Sequence, residues 1–274
     1  MDKTFFKSIV NSKKQQGCSL PDVTGARHFV NTLFETLFLC KDQVDNNEFE
    51  LQSQFKKLEG QLQLLLYSVK NDNNYSNEQA ALFFRAVPEL YKKLLLDAAA
   101  IYEADPAAKN IDEVFIAYPG FFAISAYRFA HQLQQQKIIL LPRVISEYAH
   151  NKTGIDIHPS ATIGASFSID HGTGIVIGET TIIGDFVKIY QGVTLGALSV
   201  QKEKASEKRH PTIENNVVIY SNATILGGDT IVGHDSVIGG NVWLTKAVQP
   251  FSVVVQQADV LIQDKNHFQH SIVI

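Results

Sequence analysis

The sequence has little cysteine and lacks long apolar runs. Its two cysteines, Cys18 and Cys40, lie 22 residues apart and match no metal-binding spacing, which predicts reduced thiols and a cytoplasmic location. Apolar runs, such as residues 138–141, are far shorter than the roughly 18 residues of a membrane-spanning helix. We expect no membrane partner and no signal peptide, because no apolar core follows the early lysines Lys3, Lys7, Lys13 and Lys14.

The sequence also lacks an excess of positive charge. Lys and Arg total 24 against 28 Asp and Glu, a net charge of -4, so we expect no nucleic-acid partner. Apolar residues make up 45%, and there are only 17 glycines and 8 prolines in 274 residues, which excludes a disordered or collagen-like chain. This length predicts one or two domains.

Residues 1–150 show a helical period. Asn110 with Glu113 three residues later predicts a capping box. Pro119-Gly120 predicts a break before a helix at 121–135 with one apolar face, and the polar stretch 71–76 predicts a loop. Elsewhere apolar residues recur at three- and four-residue steps, as in Leu33, Leu37, Phe38, Leu51, Phe55, Leu58, Leu62 and Leu65.

From residue 155 the period changes to six. This repeat predicts a parallel β-helix of hexapeptide repeats, whereas a β-sandwich would show period two. Small or β-branched residues often follow the repeated position by four places, as at Ala161, Thr181, Val187, Val193, Ala223 and Ala247. The thirteen positions of the repeat are Ile157, Ile163, Ile169, Ile177, Ile183, Ile189, Leu195, Ile213, Ile219, Ile225, Ile231, Val237 and Trp243.

The expected fold class is therefore α+β, with an N-terminal α-helical domain followed by a left-handed parallel β-helix of hexapeptide repeats. We place the helical domain at 1–150, the β-helix at 151–258 and a C-terminal tail at 259–274.

The repeat is interrupted twice, and interruptions of a solenoid often form its binding face. The step from Ile169 to Ile177 has two extra residues and carries Asp170-His-Gly-Thr-Gly. The second interruption, between Leu195 and Ile213, predicts an extruded loop.

Both interruptions carry candidate chemistry. Asp156 lies at a predicted corner toward which the bulge of His171 returns, and a carboxylate beside an imidazole favours general-base catalysis. The alternative is that His171 is a turn residue bonded to the backbone. Arg209 and His210 suit a carboxylate ligand, or else belong to a solvated, charged loop. We expect a structural role for His158.

Several segments together carry a family resemblance. They are Asp156-Ile-His-Pro, Asp170-His-Gly-Thr-Gly-Ile-Val-Ile-Gly-Glu-Thr, Gln191-Gly-Val-Thr-Leu-Gly, Arg209-His-Pro and, upstream, Asp105-Pro-Ala with 118–133. They resemble the motifs of serine O-acetyltransferases, the first enzymes of cysteine biosynthesis, over about residues 90–250.

The resemblance implies an acyltransferase. His171 would be the general base that deprotonates the L-serine hydroxyl as it attacks acetyl-CoA, and Asp156 would orient it. It implies no metal and no permanently bound cofactor, with acetyl-CoA as co-substrate. The implied substrate-binding residues are Asp105 and Asp170 for the ammonium, Arg209 and His210 for the carboxylate, and Glu179 near the same pocket.

Acetyl-CoA in this family lies between neighbouring prisms of a trimer, so the resemblance implies a homotrimer or a hexamer of two trimers. Two departures are Ala197 in place of a second glycine, and Val255-Gln-Gln-Ala in place of Gly-Val-Pro-Ala. The loop lysines Lys202, Lys204 and Lys208 either meet the CoA phosphates or face solvent. The implied cofactor-binding positions are Gly196, Ala197, Ser221 and Gly239.

The tail ends in Ile274. Family members commonly end in Ile, which enters the active site of O-acetylserine sulfhydrylase, so the resemblance implies that Ile274 binds this partner; the alternative is a frayed terminus. The family also implies feedback inhibition by L-cysteine at the serine site.

Three other functions fit part of the pattern. A hexapeptide acetyltransferase acting on a sugar or another hydroxyl would keep the fold and the catalytic histidine. A zinc hydratase of this fold would need three histidines around a metal, two of them only a few residues apart on one loop. Here the histidines of the repeat lie at least 13 residues apart, which argues against such a site. A protein that only docks its partner through Ile274 would not need the filled catalytic positions.

Overall fold

The structure is a computed structural model that describes residues 2–15, 20–40, 47–198 and 207–257. Helices occupy the first half of these residues. They are α1 (Lys3–Gln15), α2 (Val23–Phe38), α3 (Glu48–Lys70), α4 (Asn73–Ala104), α5 (Ile111–Ala117), α6 (Pro119–Gln135) and α7 (Leu141–Thr153). Every helix among them is too short or too polar to cross a membrane.

Short strands occupy the second half. They are β1 (Asp156–Ile157), β2 (Thr162–Ile163), β3 (Ser168–Asp170), β4 (Val176–Ile177), β5 (Ile182–Ile183), β6 (Lys188–Tyr190), β7 (Thr194–Gly196), β8 (Thr212–Ile213), β9 (Val218–Ile219), β10 (Thr224–Leu226), β11 (Ile231–Val232), β12 (Val237–Ile238), β13 (Trp243–Leu244) and β14 (Val253–Val254).

Polar side chains cap the helices. Asn110 Oδ1 accepts from the N–H of Glu113 at 2.9 Å, as the predicted capping box requires. The Glu113 carboxylate, however, accepts from the N–H of Lys109 instead of Asn110, so only half of the box forms. The predicted loop at 71–76 is much shorter than expected, because left-handed Asn71 (φ 53°) ends α3 and Asp72 already caps α4.

The predicted break before this helix exists but lies at Tyr118, between α5 and α6, because Pro119 and Gly120 already form the first turn of α6. Proline suits this position, since its missing N–H would have no helical partner there. Gly120 permits a close approach to the β-helix: a Cβ atom on it would lie 2.7 Å from the carbonyl oxygen of Ile169. The helix is also buried on all sides between residues 120 and 130, not along one apolar face.

The strands form three parallel sheets that are the sides of a solenoid. Sheet 1 has the order β1-β4-β7-β10-β13, sheet 2 has β11-β8-β5-β2 and sheet 3 has β14-β12-β9-β6-β3. Successive strands of the chain go to different sheets, and strands three apart pair in register, as Ile157 does with Ile177 and Ile177 with Leu195. This confirms the predicted helical half followed by a parallel β-helix.

The first ten repeat positions, from Ile157 to Ile225, point inward and are buried. The last three predicted positions are wrong by one residue. Ile231 and Trp243 are 42% and 69% exposed, and Val237 is only partly buried; the inward residues are Val232, Ile238 and Leu244, which pair with Ile213, Ile219 and Ile225. The same shift leaves the expected small residue Ala247 exposed and places Ser236 and Val242 inside.

An extra residue in one turn causes this shift. The step from Ile225 to Val232 is seven residues, and it contains Gly227 with φ +105° followed by Gly228. Glycine is readily accommodated in this conformation, so the turn takes one more residue and the phase moves by one.

The two interruptions lie between sheets. His171 and Gly172 are in the connection from sheet 3 to sheet 1, while the second interruption joins β7 of sheet 1 to β8 of sheet 2. Because the strands on both sides keep their register, each interruption is an insertion that leaves the solenoid intact. Of the predicted loop, residues 199–206 lie outside the described residues.

Buried residues of the helices and the β-helix form one continuous core. Polar contacts reinforce the joint: the Tyr127 hydroxyl donates to the carbonyl of Ala161 at 2.6 Å, and Lys93 Nζ donates to the carbonyl of Ile163 at 3.0 Å. The helical half is therefore fixed against the first coil, which positions residues of α4 and α6 beside β3.

Candidate active site

The predicted site residues fall into two groups at different corners of the prism. The Asp105 cluster contains Asp105, Tyr118, Asp170, His171 and Lys188, where the end of α4 meets sheet 3. The Arg209 cluster contains Asp156, His158, Glu179, Arg209 and His210, where sheet 1 meets sheet 2.

Asp105 follows the last residue of α4 and is held by two neutral donors. Its Oδ2 accepts from the Tyr118 hydroxyl at 2.6 Å, and its Oδ1 accepts from the N–H of Ala107 at 2.8 Å. The Tyr118 bond is the main cause of a lowered pKa of Asp105, and it raises the pKa of Tyr118 to about 12. Asp105 is thus held as a carboxylate.

Asp170 ends β3, and its neighbour on sheet 3 is β6, which carries Lys188. Lys188 Nζ lies 3.0 Å from Asp170 Oδ2. Burial opposes the charge of this lysine, but hydrogen bonds to Tyr190 and Asp170 outweigh it and raise the pKa of Lys188. Asp170 therefore already has one fixed cation.

His171 stands on the two-residue insertion with its side chain 74% exposed. Its backbone is left-handed (φ 59°), which directs the ring away from the core of the coil. Nε2 lies 3.8 Å from Asp170 Oδ1. Gly172 follows with φ +92°, and any Cβ there would collide with Ile155 at 2.5 Å, so the insertion depends on this glycine.

Thr180 organises the Arg209 cluster, although it was not predicted as a site residue. Its Oγ1 accepts from the N–H groups of Arg209 and His210, both at 3.0 Å. The Arg209 guanidinium forms an ion pair with Glu179. The Gly-Glu-Thr motif therefore fixes both the backbone and the side chain of Arg209.

His210 is a buried, neutral imidazole. Its Nδ1 accepts from the N–H of Thr180 at 3.1 Å and lies 2.9 Å from Thr180 Oγ1, so the proton of the neutral ring belongs on Nε2. Burial, reinforced by the charge of Arg209, lowers the pKa of His210 to about 4. The ring packs on Gly178, where a Cβ atom would lie 2.0 Å from His210 Cδ2.

Asp156 lines a cavity of about 280 Å³ with Arg209 and His210. Its carboxylate also lies near Glu147 and His150 of α7, with one ligand atom of each group within 4.8 Å of the others. Within one chain it makes no hydrogen bond or ion pair with His171, whose ion-pair contact is Asp170. Asp156 and His171 of the same chain therefore do not form the predicted pair.

The other predicted residues divide between the same corners. Gly196 and Ala197 lie where sheet 1 leads to sheet 2, on the side of the Arg209 cluster, while Ser221 and Gly239 lie where sheet 3 leads to sheet 1, on the side of His171. Ile274, Lys202 and Lys204 are outside the described residues.

Lys208 and His158 are held by the backbone. Lys208 Nζ donates to the carbonyls of Thr180 at 2.8 Å, Pro211 at 3.1 Å and His210, so it anchors the end of the loop. His158 Nδ1 accepts from the N–H of Ser160 at 3.1 Å, but the ring also lines the cavity beside Asp156.

Comparison with known proteins gives consistent relatives. No protein-family model matches the chain. The chain is 45% identical over 235 residues to a serine acetyltransferase encoded on a plasmid of Synechococcus elongatus, covering 84% of this chain and 71% of the relative. It is 43% identical over 193 residues to the serine acetyltransferase of Bacillus subtilis, covering 68% of this chain and 84% of the relative.

Solved structures agree. Serine acetyltransferase isoform 3 of Entamoeba histolytica, in complex with cysteine, has a TM-score of 0.78 and 30% identity, covering 87% of this chain and 84% of that one. The Neisseria gonorrhoeae serine acetyltransferase in complex with serine has a TM-score of 0.60 at 26% identity, covering 86% of this chain and 95% of that one. A serine acetyltransferase in complex with CoA has a TM-score of 0.58 at 26% identity, covering 84% of this chain and 96% of that one.

Proposed function

The chain belongs to the serine acetyltransferase family of acyltransferases, and we propose that it transfers the acetyl group of acetyl-CoA to the hydroxyl of L-serine. The observation that carries this proposal is the Asp105 cluster, where two fixed carboxylates lie beside the exposed imidazole of His171. An amino acid with its ammonium on those carboxylates would place its short hydroxyl side chain next to a base. The related structures with serine and with CoA support both substrates.

The substrate is a zwitterion and needs groups of both signs. Asp105 and Asp170 bind the ammonium, and Arg209, held by Glu179 and Thr180, binds the carboxylate. Neutral His210 offers its Nε2–H as a further donor to the same carboxylate. L-cysteine carries the same ammonium and carboxylate, and one related structure holds cysteine, so we expect cysteine to compete with serine.

His171 acts as the general base. It takes the proton of the serine hydroxyl as the oxygen attacks the thioester carbonyl, and the imidazolium then returns the proton to the departing CoA sulfur. A single base thus takes the proton from serine and returns it to CoA. The products are O-acetyl-L-serine and CoA, and this reaction is the first step toward cysteine. Asp156 is the carboxylate that orients the imidazole.

This assignment needs two copies of the chain. The Asp105 and Arg209 clusters flank sheet 1 at different corners, and Asp156 makes no hydrogen bond or ion pair with His171 of its own chain. In a three-fold assembly of prisms, one corner of each copy meets a different corner of its neighbour. The site is then completed by the Asp105 cluster of one copy and the Arg209 cluster of the next, with acetyl-CoA along the groove between them.

Acceptor specificity tests the reaction. We expect release of CoA thiol from acetyl-CoA that depends on L-serine and not on a sugar acceptor. Well-folded protein that releases CoA only with the sugar would contradict the assignment to serine.

Subunit complementation tests the shared site. His171→Ala and Arg209→Ala chains are each expected to be inactive, but in randomly mixed trimers roughly a quarter of the sites combine an intact His171 with an intact Arg209. Co-expression of the two variants should therefore restore activity. If every site lay within one chain, the mixture would stay as inactive as its components.

A further inference from the structure

Lys188 is a cation inside the cluster to which the proposed function assigns the substrate ammonium. Its side chain is only 15% exposed, and its Nζ lies 3.0 Å from Asp170 Oδ2. The same atom donates to the carbonyl of Ala104 at 2.9 Å and lies 4.6 Å from the ring centre of Tyr190. Three groups thus hold this lysine in place, unlike a mobile surface lysine.

The charge of Lys188 is specific to this position. It stands on β6, where its register partners in the neighbouring coils are Ser168 and Val218, which carry no charge. The β-helix can therefore pack with an uncharged residue at this position of sheet 3. What the lysine contacts is Asp170 and the last residue of α4, next to Asp105.

The cation changes the charge that a ligand meets. Asp105 receives its hydrogen bonds from the neutral donors Tyr118 and Ala107, so Lys188 is the fixed positive group of this cluster among the contacts described. Two carboxylates and one lysine carry one net negative charge, which a single ammonium neutralises. Without the lysine the same ammonium would meet two uncompensated carboxylates.

We propose that Lys188 is a charge-balancing residue of the ammonium subsite, which occupies one oxygen of Asp170 and weakens the binding of every ligand with an α-ammonium group. The inference rests on the proposed function of the Asp105 cluster. Lys188 contacts Asp170 and not the reacting atoms, so it acts on ligand binding and leaves the chemical step unchanged.

Three substitutions separate charge from hydrogen bonding. Lys188→Met removes both, Lys188→Gln removes the charge but keeps a donor, and Lys188→Arg keeps the charge. We expect the KM for L-serine to fall about three- to tenfold in the Met and Gln variants, because repulsion between two nearby cations is lost and is only partly screened by solvent. The kcat and the KM for acetyl-CoA should change less than about twofold in these two variants, and the Arg variant, which keeps the charge, should show no fall in the KM for L-serine.

A ligand without the ammonium is the control. We expect the inhibition constant of 3-hydroxypropanoate to be the same in all four proteins, whereas inhibition by L-cysteine should tighten in the Met and Gln variants. An unchanged or higher KM for L-serine in the folded Gln variant would overturn the inference, and so would an equal change for 3-hydroxypropanoate, which indicates a general rearrangement of the site.

Failure of the proposed function would look different. In that case wild-type protein would show no turnover with L-serine. Calorimetric titration of the same four proteins with L-serine and L-cysteine would then still decide the role of Lys188: tighter binding in the Met and Gln variants supports it, and unchanged, weaker or undetectable binding in all four proteins contradicts it.

Discussion

The carboxylate of Asp97 accepts two hydrogen bonds from the guanidinium of Arg128, at 2.5 Å from Nε and 2.7 Å from Nη2. The pair is buried and joins α4 to α6. It also binds the first coil, because Arg128 Nη2 donates to the carbonyl of Gly164 at 2.9 Å and the N–H of Phe167 donates to Asp97 at 3.0 Å. One ion pair thus ties the helical half to the β-helix.

Breaking this pair should be costly. We expect Asp97→Asn to lower the free energy of unfolding by about 3–5 kcal/mol, because it leaves a buried guanidinium without its counter-ion. Urea unfolding followed by circular dichroism measures the change. In the matched control Glu89→Gln, which removes an exposed ion pair with Lys92, we expect less than about 1 kcal/mol. Equal effects of the two substitutions would show that the buried pair does not stabilise the joint.

Gly178 should be required for the Arg209 cluster. A Cβ atom there would lie 2.0 Å from the ring of His210, so Gly178→Ala should displace the imidazole and reduce kcat/KM for L-serine on the order of 10²-fold. Gly60→Ala is the control, since a Cβ on that helical glycine meets nothing within 4 Å. Steady-state kinetics of a folded Gly178→Ala protein with wild-type kcat/KM would contradict this packing.

His210 should make the protein less stable in acid. Burial lowers its folded-state pKa from 6.5 to about 4, so the unfolded chain binds a proton first as the pH falls. The stabilising contribution is fully present above pH 6.5 and is lost toward pH 4, up to about 3 kcal/mol. His131 and His158 shift in the same direction, so wild type must be compared with His210→Gln.

The comparison of these two proteins is made by chemical unfolding at pH 7.5 and 4.5. We expect wild type to lose about 2 kcal/mol more than the variant between these values. An equal loss in both proteins would show that His210 is not held neutral by the fold.

The period-six pattern predicted the β-helix and its first ten inward residues. Each six-residue repeat forms one side of a coil, so the inward residue recurs at every sixth position of the sequence. The last three positions failed at Gly227-Gly228, where one extra residue in a turn changes the phase. A single residue at a permissive turn is a weak sequence signal, although the exposure of Trp243 follows directly from it.

The sequence predicted the site less completely. The interruptions located His171, Arg209 and His210, but the roles of Thr180 and Lys188 depend on which side chains meet across coils. The separation of Asp156 from His171 follows from their places at two corners of the prism, which spacing along one chain does not encode.

Replacement of His171 is the sharpest test of general-base catalysis in this protein. We expect His171→Ala to lower the kcat of serine-dependent CoA release by about 10²-fold or more. The KM for L-serine should stay within about threefold of wild type, because we propose that Asp105, Asp170 and Arg209 bind this substrate. A folded His171→Ala protein with the kcat of wild type would contradict general-base catalysis by this histidine.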